Sequence, residues 1–326
     1  MRKSSRPLVI ASRRSPLARA QTQAVAKLFA ARDPELKIKF KWMESEGDVQ
    51  TQAVLAEQGG KGLFARAIER ALLRGEADLA VHSAKDLPAA ATPGLTIAAT
   101  PPRADVRDCL ITREGLDSIA ALPHGAKVGT SSPRRAAQLK RLRPDLDIQP
   151  LRGNIETRLR KVLEENVCDA TLLAVAGLTR GGLAKHALHA IDTAVMLPAA
   201  CQGALALQCR NDDHTTLLRC LPVNDAATAQ AVHAERQVIA ALEGDCHSAI
   251  AVLVEALEPP AEPGADTARR DRHSPYVRLR ARVLSPDGAA MITFEEAAPL
   301  RQLGKLVGRA IASLKEQGAV DLLRPC

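Results

Sequence analysis

Aromatic residues are scarce: one Trp, one Tyr and four Phe make up 2% of the 326 residues. Proteins that read single strands or RNA depend on aromatic stacking, so nucleic acid is not the expected partner of this chain, despite its net charge of +8. Long apolar runs are missing as well. The hydrophobic fraction is an ordinary 46%, but no run approaches the roughly 20 residues of a membrane-spanning helix, and no membrane partner is expected. The basic start, Met1-Arg-Lys-Ser-Ser-Arg-Pro7, leads into an apolar stretch of only residues 8–11. That is too short for a secretory signal, so the expected location is the cytoplasm. The seven cysteines are odd in number and scattered, which suits reduced thiols better than a disulfide framework. There is no Gly-x-Ser-x-Gly elbow. His186 and His189 have no Cys or carboxylate at ligand spacing, so no metal site is expected.

The length points to two or three domains. The most reactive stretch is Ala77-Asp-Leu-Ala-Val-His-Ser-Ala-Lys-Asp86. Leu79, Ala80 and Val81 form a β-compatible run that ends in His82, Ser83, Lys85 and Asp86, with Pro88 closing the turn. In open α/β sheets ligands sit beyond the carboxyl ends of strands, which is where this cluster falls. A solvated turn with a Lys–Asp pair is the alternative.

The surrounding pattern repeats. Residues 8–11 read as a strand, Arg13 and Arg14 as its turn, and Ser15-Pro16 as an N-cap with proline at the first helical position. That helix carries Leu17, Ala20, Ala24 and Leu28 at helical spacing. Residues 38–42 alternate as a half-buried strand, and Gly59-Gly-Lys-Gly62 opens a helix without Walker spacing. Residues 108–112 form a further strand. Lys127-Val-Gly-Thr-Ser-Ser-Pro-Arg-Arg135 then repeats the strand, cap, proline and paired arginines. Arginines are unfavourable at a helix N-terminus unless an anion offsets them, so two such places predict a bound anion. Leu151-Arg-Gly-Asn154 enters a helix with Ile155, Leu159 and Val162 inward, and residues 170–176 read as a buried strand left by Gly177-Leu-Thr-Arg180. Two βα arrays of this kind predict two doubly wound lobes with a cleft between them. Residues 204–209 give a returning strand and residues 226–242 a helix, whose exit loop holds Cys246. Strands at 250–257, 276–284 and 291–295, a hairpin turn at Pro286-Asp-Gly288 and a helix over 300–317 make a small α+β domain. Residues 258–275 read as a mobile insertion.

Six motifs carry a resemblance. His82-Ser-Ala-Lys-Asp86, Gly59-Gly-Lys-Gly62, Gly129-Thr-Ser-Ser-Pro-Arg-Arg135, Leu151-Arg-Gly-Asn154, Leu173-Ala-Val-Ala-Gly-Leu178 and Leu197-Pro-Ala-Ala-Cys-Gln-Gly203 occur in that order. Together they resemble the porphobilinogen deaminase (hydroxymethylbilane synthase) family. The resemblance implies two lobes like those of periplasmic binding proteins and a small C-terminal domain with a three-stranded antiparallel sheet. The implied limits are 1–102 with 198–222, then 103–197, then 223–326. It implies a transferase of haem and tetrapyrrole biosynthesis, cytoplasmic and monomeric. Four porphobilinogen molecules would be condensed head to tail, with loss of ammonia, onto a covalent dipyrromethane cofactor, and hydroxymethylbilane released by hydrolysis. By the same resemblance Cys246 holds the cofactor through a thioether, and Ser83, Lys85, Asp86, Thr130, Ser131, Ser132, Arg134, Arg135 and Arg158 bind it. Arg13, Ser15, Lys61, Arg152, Arg180 and Gln202 are the implied substrate ligands, and a buried, ionised Asp86 is the implied catalytic group. Acetate and propionate side chains make the growing chain a polyanion, which suits guanidinium forks.

The chain departs from the family pattern in places. Glu57 stands where many members have Lys, Ala241 replaces a common Arg, and Gly244-Asp-Cys-His-Ser-Ala249 replaces Gly-Gly-Cys-apolar-Pro. The rival reading is a non-catalytic two-lobed receptor or regulator domain for a carboxylate ligand. Such a receptor needs no carboxylate in its cleft.

Overall fold

The computed structural model describes residues 6–43, 63–186, 188–245, 248–257 and 275–323. Glu57, the Gly59–Gly62 turn with Lys61, Cys246 and residues 258–274 of the insertion lie outside them.

Two five-stranded sheets share one plan. The first has the order β2-β1-β3-β10-β4, with β1 (Leu8–Arg13), β2 (Ile38–Met43) and β3 (Leu79–Ser83) parallel. β10 (Leu205–Arg210) runs antiparallel between β3 and β4 (Leu95–Ala99). The second has the order β7-β6-β8-β5-β9. There β6 (Lys127–Gly129), β7 (Asp147–Gln149) and β8 (Ala170–Ala174) are parallel, and β5 (Asp108–Thr112) runs antiparallel beside β8 and β9 (His189–Ala190). Each lobe is thus four parallel strands plus one antiparallel strand, which is entered directly from a crossing between the lobes.

Alternation in the strands sends side chains to two buried faces, as expected for a sheet covered on both sides. In the first lobe Leu8, Ile10, Leu79 and Val81 pack under Val25 and Phe29 of the Pro16–Arg32 helix. Ala11 and Ala80 pack under Ile68 and Leu72 of the Leu63–Leu73 helix. The inward face of the Pro16–Arg32 helix is Gln21, Thr22, Val25 and Phe29, whereas the sequence pattern selects Leu17, Ala20, Ala24 and Leu28. Leu28 is in fact exposed. The larger Phe29 and Val25 fix the rotation, because alanines contribute little buried area. In the second lobe β8 ends at Ala174, and residues 175–180 form a short helix rather than a strand end and loop. Gly177 permits it, since a Cβ there would stand 2.9 Å from Ile155 Cδ1.

The C-terminal domain is a three-stranded antiparallel sheet of β11 (Ile250–Leu257), β12 (Tyr276–Leu284) and β13 (Met291–Pro299). Val252, Val254, Leu279 and Ala281 pack with Val238 of the Ala226–Ala241 helix and Leu306 and Ala310 of the Leu303–Glu316 helix. Gly288 makes the hairpin turn at φ +75°, and a Cβ there would stand 2.4 Å from Ala137 O. The hairpin is thereby pressed against the second lobe. No described helix is long and apolar enough to cross a membrane.

Candidate active site

β3 ends at Ser83, and a single 3-10 turn, Ala84–Asp86, swings Lys85 and Asp86 out beyond the carboxyl end of the sheet. They face a cavity of about 670 Å³. Its opposite wall is the N-terminal end of the Pro133–Leu142 helix with Ser131, Ser132, Arg134 and Arg135, joined by Arg158. Its third wall comes from the C-terminal domain: Glu243, Gly244, Asp245, Ser248 and Ile250. The described residues on both sides of Cys246 therefore line the cavity that holds Asp86.

The approach to Cys246 is tightly specified. Glu243 ends the helix in the left-handed region at φ 55°. Gly244 follows where a Cβ would meet Ile250 Cδ1 at 2.4 Å. Ser248 Oγ accepts from Asp245 N at 3.0 Å and donates to Asp245 Oδ1 at 3.0 Å. Asp245 and Ser248, which replace the family's usual glycine and proline, thus close the loop by side-chain hydrogen bonds.

Arg134 and Arg135 are 4% and 6% exposed, and Asp108 is fully buried between them. Arg134 Nη2 donates to Asp108 Oδ2 at 2.8 Å and Arg135 Nη2 to Oδ1 at 2.7 Å. Gln202 Nε2 adds a third donor to Oδ1 at 2.9 Å. Burial raises the Asp108 carboxyl, but the two guanidiniums outweigh it and hold it well below the usual range. One carboxylate against two guanidiniums leaves a surplus positive charge. The Nε atoms of Arg134, Arg135 and Arg158 are buried without a hydrogen-bond partner. Buried charged donors in that state call for an acceptor. A dipyrromethane carrying acetate and propionate groups supplies such acceptors, so the residues fit the cofactor. Lys85 donates to Gln202 Oε1 at 3.3 Å. Its ammonium is pushed down to about 8 by the surrounding protein, with the Asp86 charge opposing.

Asp86 itself is exposed to the cleft rather than buried, because the 3-10 turn leaves it on the lip of the cavity. It also lines a smaller space of about 60 Å³ with Arg13, Ser15, Gln21 and Ser83. Ser15 accepts from Ala18 N at 3.4 Å as the N-cap, and Gln21 Nε2 donates to Ser83 Oγ at 3.1 Å. Other expected site residues stand elsewhere. Thr130 is buried, its hydroxyl accepting from Ser132 N at 3.1 Å. Arg180 Nη2 donates to Gly203 O at 2.8 Å, and Arg152 is exposed, lining neither cavity. Gln202 uses its amide on Val106 O, Asp108 and Lys85, so it braces the site from within the protein.

Sequence reasoning missed Asp108, Arg236 and Glu235. Asp108 looked like the first residue of a strand, and only its polar character at the edge of an apolar run marked it. The described cysteines, Cys109, Cys168, Cys201, Cys209 and Cys220, are buried free thiols, each pushed up by burial.

Two α/β lobes meeting over a cleft that sets an exposed aspartate at the end of a strand opposite a wall of arginines define a protein that holds a polyanion and acts on it. Comparison with known proteins gives that class a family. Residues 8–217 match the family model of the porphobilinogen deaminase, dipyromethane cofactor binding domain. The chain is 44% identical over 284 residues to a porphobilinogen deaminase of Sorangium cellulosum, covering 87% of this chain and 89% of that one. It is 42% identical over 320 residues to one from Syntrophotalea carbinolica, covering 98% and 96%. The chain belongs to the porphobilinogen deaminase family, transferases of tetrapyrrole biosynthesis that use a dipyrromethane cofactor. Among solved structures it is similar to the periplasmic aliphatic sulphonate binding protein SsuA from Escherichia coli, at 16% identity and a TM-score of 0.39, covering 72% of this chain and 69% of that one.

Proposed function

We propose that Asp86 is the catalytic group of a hydroxymethylbilane synthase whose cofactor hangs from Cys246. The observation that carries the reading is the shared cavity: Asp86, the arginine wall and both flanks of Cys246 line one space. Ser83, Lys85, Ser131, Ser132, Arg134, Arg135 and Arg158 hold the acetate and propionate groups of the cofactor, with Thr130 bracing Ser132. Arg13 and Ser15 receive incoming porphobilinogen, and by the family pattern Lys61, Arg152, Arg180 and Gln202 are its further ligands. The smaller space beside Asp86 favours Arg13 and Ser15 as its first contacts.

Bound dipyrromethane supplies the nucleophilic pyrrole carbon on which the chain is built. The protein manages charge. When the aminomethyl C–N bond of porphobilinogen breaks and ammonia leaves, the pyrrole is left cationic, and the Asp86 carboxylate stabilises that cation. After the new C–C bond forms, the same carboxylate takes the proton lost from the attacked ring. The arginines fix the carboxylates of both partners so that the reacting carbons stay in line. Four such additions precede hydrolytic release.

The domain limits we assign are 1–102 with 198–222, 103–197 and 223–326. A monomer suffices, because one chain supplies every wall of the cavity. The five buried free thiols suit a reducing compartment such as the cytoplasm. Intact mass of the purified protein tests the reading. Wild type carries the mass of a dipyrromethane, and Cys246→Ser lacks it. An adduct that persists in Cys246→Ser moves the anchor elsewhere.

A further inference from the structure

A second cavity of about 390 Å³ lies beside the first. Leu87, Pro88, Ala89, Ala90, Arg236 and Ala240 line both, so residues 87–90 form a shared wall. One side chain pins that wall: Arg236 Nη2 donates to Pro88 O at 2.6 Å and Ala89 O at 3.2 Å, and Nη1 to Leu87 O at 3.5 Å. The pinned residues follow directly on Asp86. On its far side the second cavity is bounded by His233, Arg236, Gln237 and Ala240, which share one face of the Ala226–Ala241 helix by their spacing. This is the helix whose exit loop leads to Cys246. Gln208, Glu69 and Thr96 are among its other lining residues. Gln208 is 5% exposed; its Nε2 donates to Glu69 Oε1 at 3.0 Å, and its side chain also meets His82.

Chain growth creates a demand for this room. One end of the polymer stays at Cys246, and the other must return to Asp86 for every addition. As two rings become six, only the inner rings can move aside, and a free space adjoining the cavity lies behind residues 87–90. We propose that the second cavity is a binding site for the inner rings of the elongating polypyrrole, reached past residues 87–90. The chemistry of its lining fits that ligand. The ring carboxylates meet Arg236 and the donors of His233 and Gln237, while Glu69 is already engaged by Gln208.

The inference rests on Cys246 as anchor and Asp86 as the site of addition, and the test separates the two. Gln237→Trp and Thr96→Trp fill the second cavity from residues that line it alone. After limited porphobilinogen is added, intact mass reads the ladder of bound adducts. Both variants carry dipyrromethane and take the first unit as wild type does, then accumulate at one or two added units and lose tetrapyrrole release. Thr96→Ala, which enlarges the cavity, gives the wild-type ladder. If Thr96→Trp, placed in a strand, loses its cofactor through misfolding, Gln237→Trp on the exposed helix face still answers the question. A wild-type protein without any adduct overturns the anchor. A normally loaded Gln237→Trp that runs through the full ladder at the wild-type rate overturns the second cavity.

Discussion

Asp108 occupies the position that two first-turn arginines would otherwise reserve for a ligand. It neutralises one of them and leaves the other charge for the cleft, so the arginine wall is held rigid before any polyanion arrives. Removing its charge strands two buried guanidiniums. Breaking a buried pair in this way costs about 3–5 kcal/mol. Asp108→Asn is therefore expected to unfold at clearly lower urea than wild type, and equal midpoints would show that the arginines find other partners. Asp86 has the opposite character: it is exposed, and in the proposed mechanism its charge serves the reaction rather than the fold. Asp86→Asn should keep its melting temperature and its dipyrromethane, yet lose turnover on the order of hundredfold or more, as for a lost electrostatic stabiliser. Near wild-type turnover in a loaded Asp86→Asn protein would remove it from the mechanism. The two residues also differ in how readable they are. Asp86 lies in a five-residue cluster of reactive side chains, so sequence alone exposes it. Asp108 meets Arg134 and Arg135 across 26 and 27 positions, and nothing local announces that meeting.

Elements are legible where their signals are local. Ser15, Ser132 and Asn154 each cap a helix through the side chain, accepting from Ala18 N, Arg135 N and Thr157 N. The serines are followed by proline at the first helical position, so these starts can be placed from sequence. The Val175–Arg180 helix has no side-chain cap and contains Gly177, so it reads as a loop until the Ile155 side chain above it is known. The crossings between the lobes are the least readable elements, because close backbone approach leaves no periodic trace. Gly203 is the sharpest case, at φ +85° with the site of a Cβ 2.4 Å from Ala104 O. Ala104 N donates to Gly203 O at 3.1 Å, which pins the two crossings together. Gly203→Ala carries roughly 1–3 kcal/mol of backbone strain and pushes Ala104 away. A lowered melting temperature with normal secondary structure is expected by circular dichroism. An unshifted melting curve would mean that the crossings part freely.

At the scale of the whole molecule, both crossings are tied to the C-terminal domain by one fully buried carboxylate, Glu235. Its Oε1 accepts from Arg103 Nη1 at 2.7 Å and from Val254 N at 2.8 Å. Its Oε2 accepts from Arg103 Nη2 at 3.0 Å and from Cys201 N. Arg103 Nε also donates to Gln202 O at 2.8 Å, so the first crossing, the second crossing, the Ala226–Ala241 helix and β11 meet at a single point. The same helix ends at Ala241, three residues before Gly244, and leads into the segment that carries Cys246. Glu235 therefore fixes the end of that helix relative to the crossings, and in the proposed reading it sets the reach of the anchor from Asp86. Glu235→Gln keeps the shape and removes the charge, leaving Arg103 buried against a neutral amide at a cost of about 3–5 kcal/mol. Two effects should appear together: a lower melting temperature, and a smaller fraction of molecules carrying dipyrromethane by intact mass. A variant that melts early but loads fully would show that the carboxylate holds the domains together without setting the reach of the anchor, because the lobes and the loop would then find their distance through the cavity walls alone.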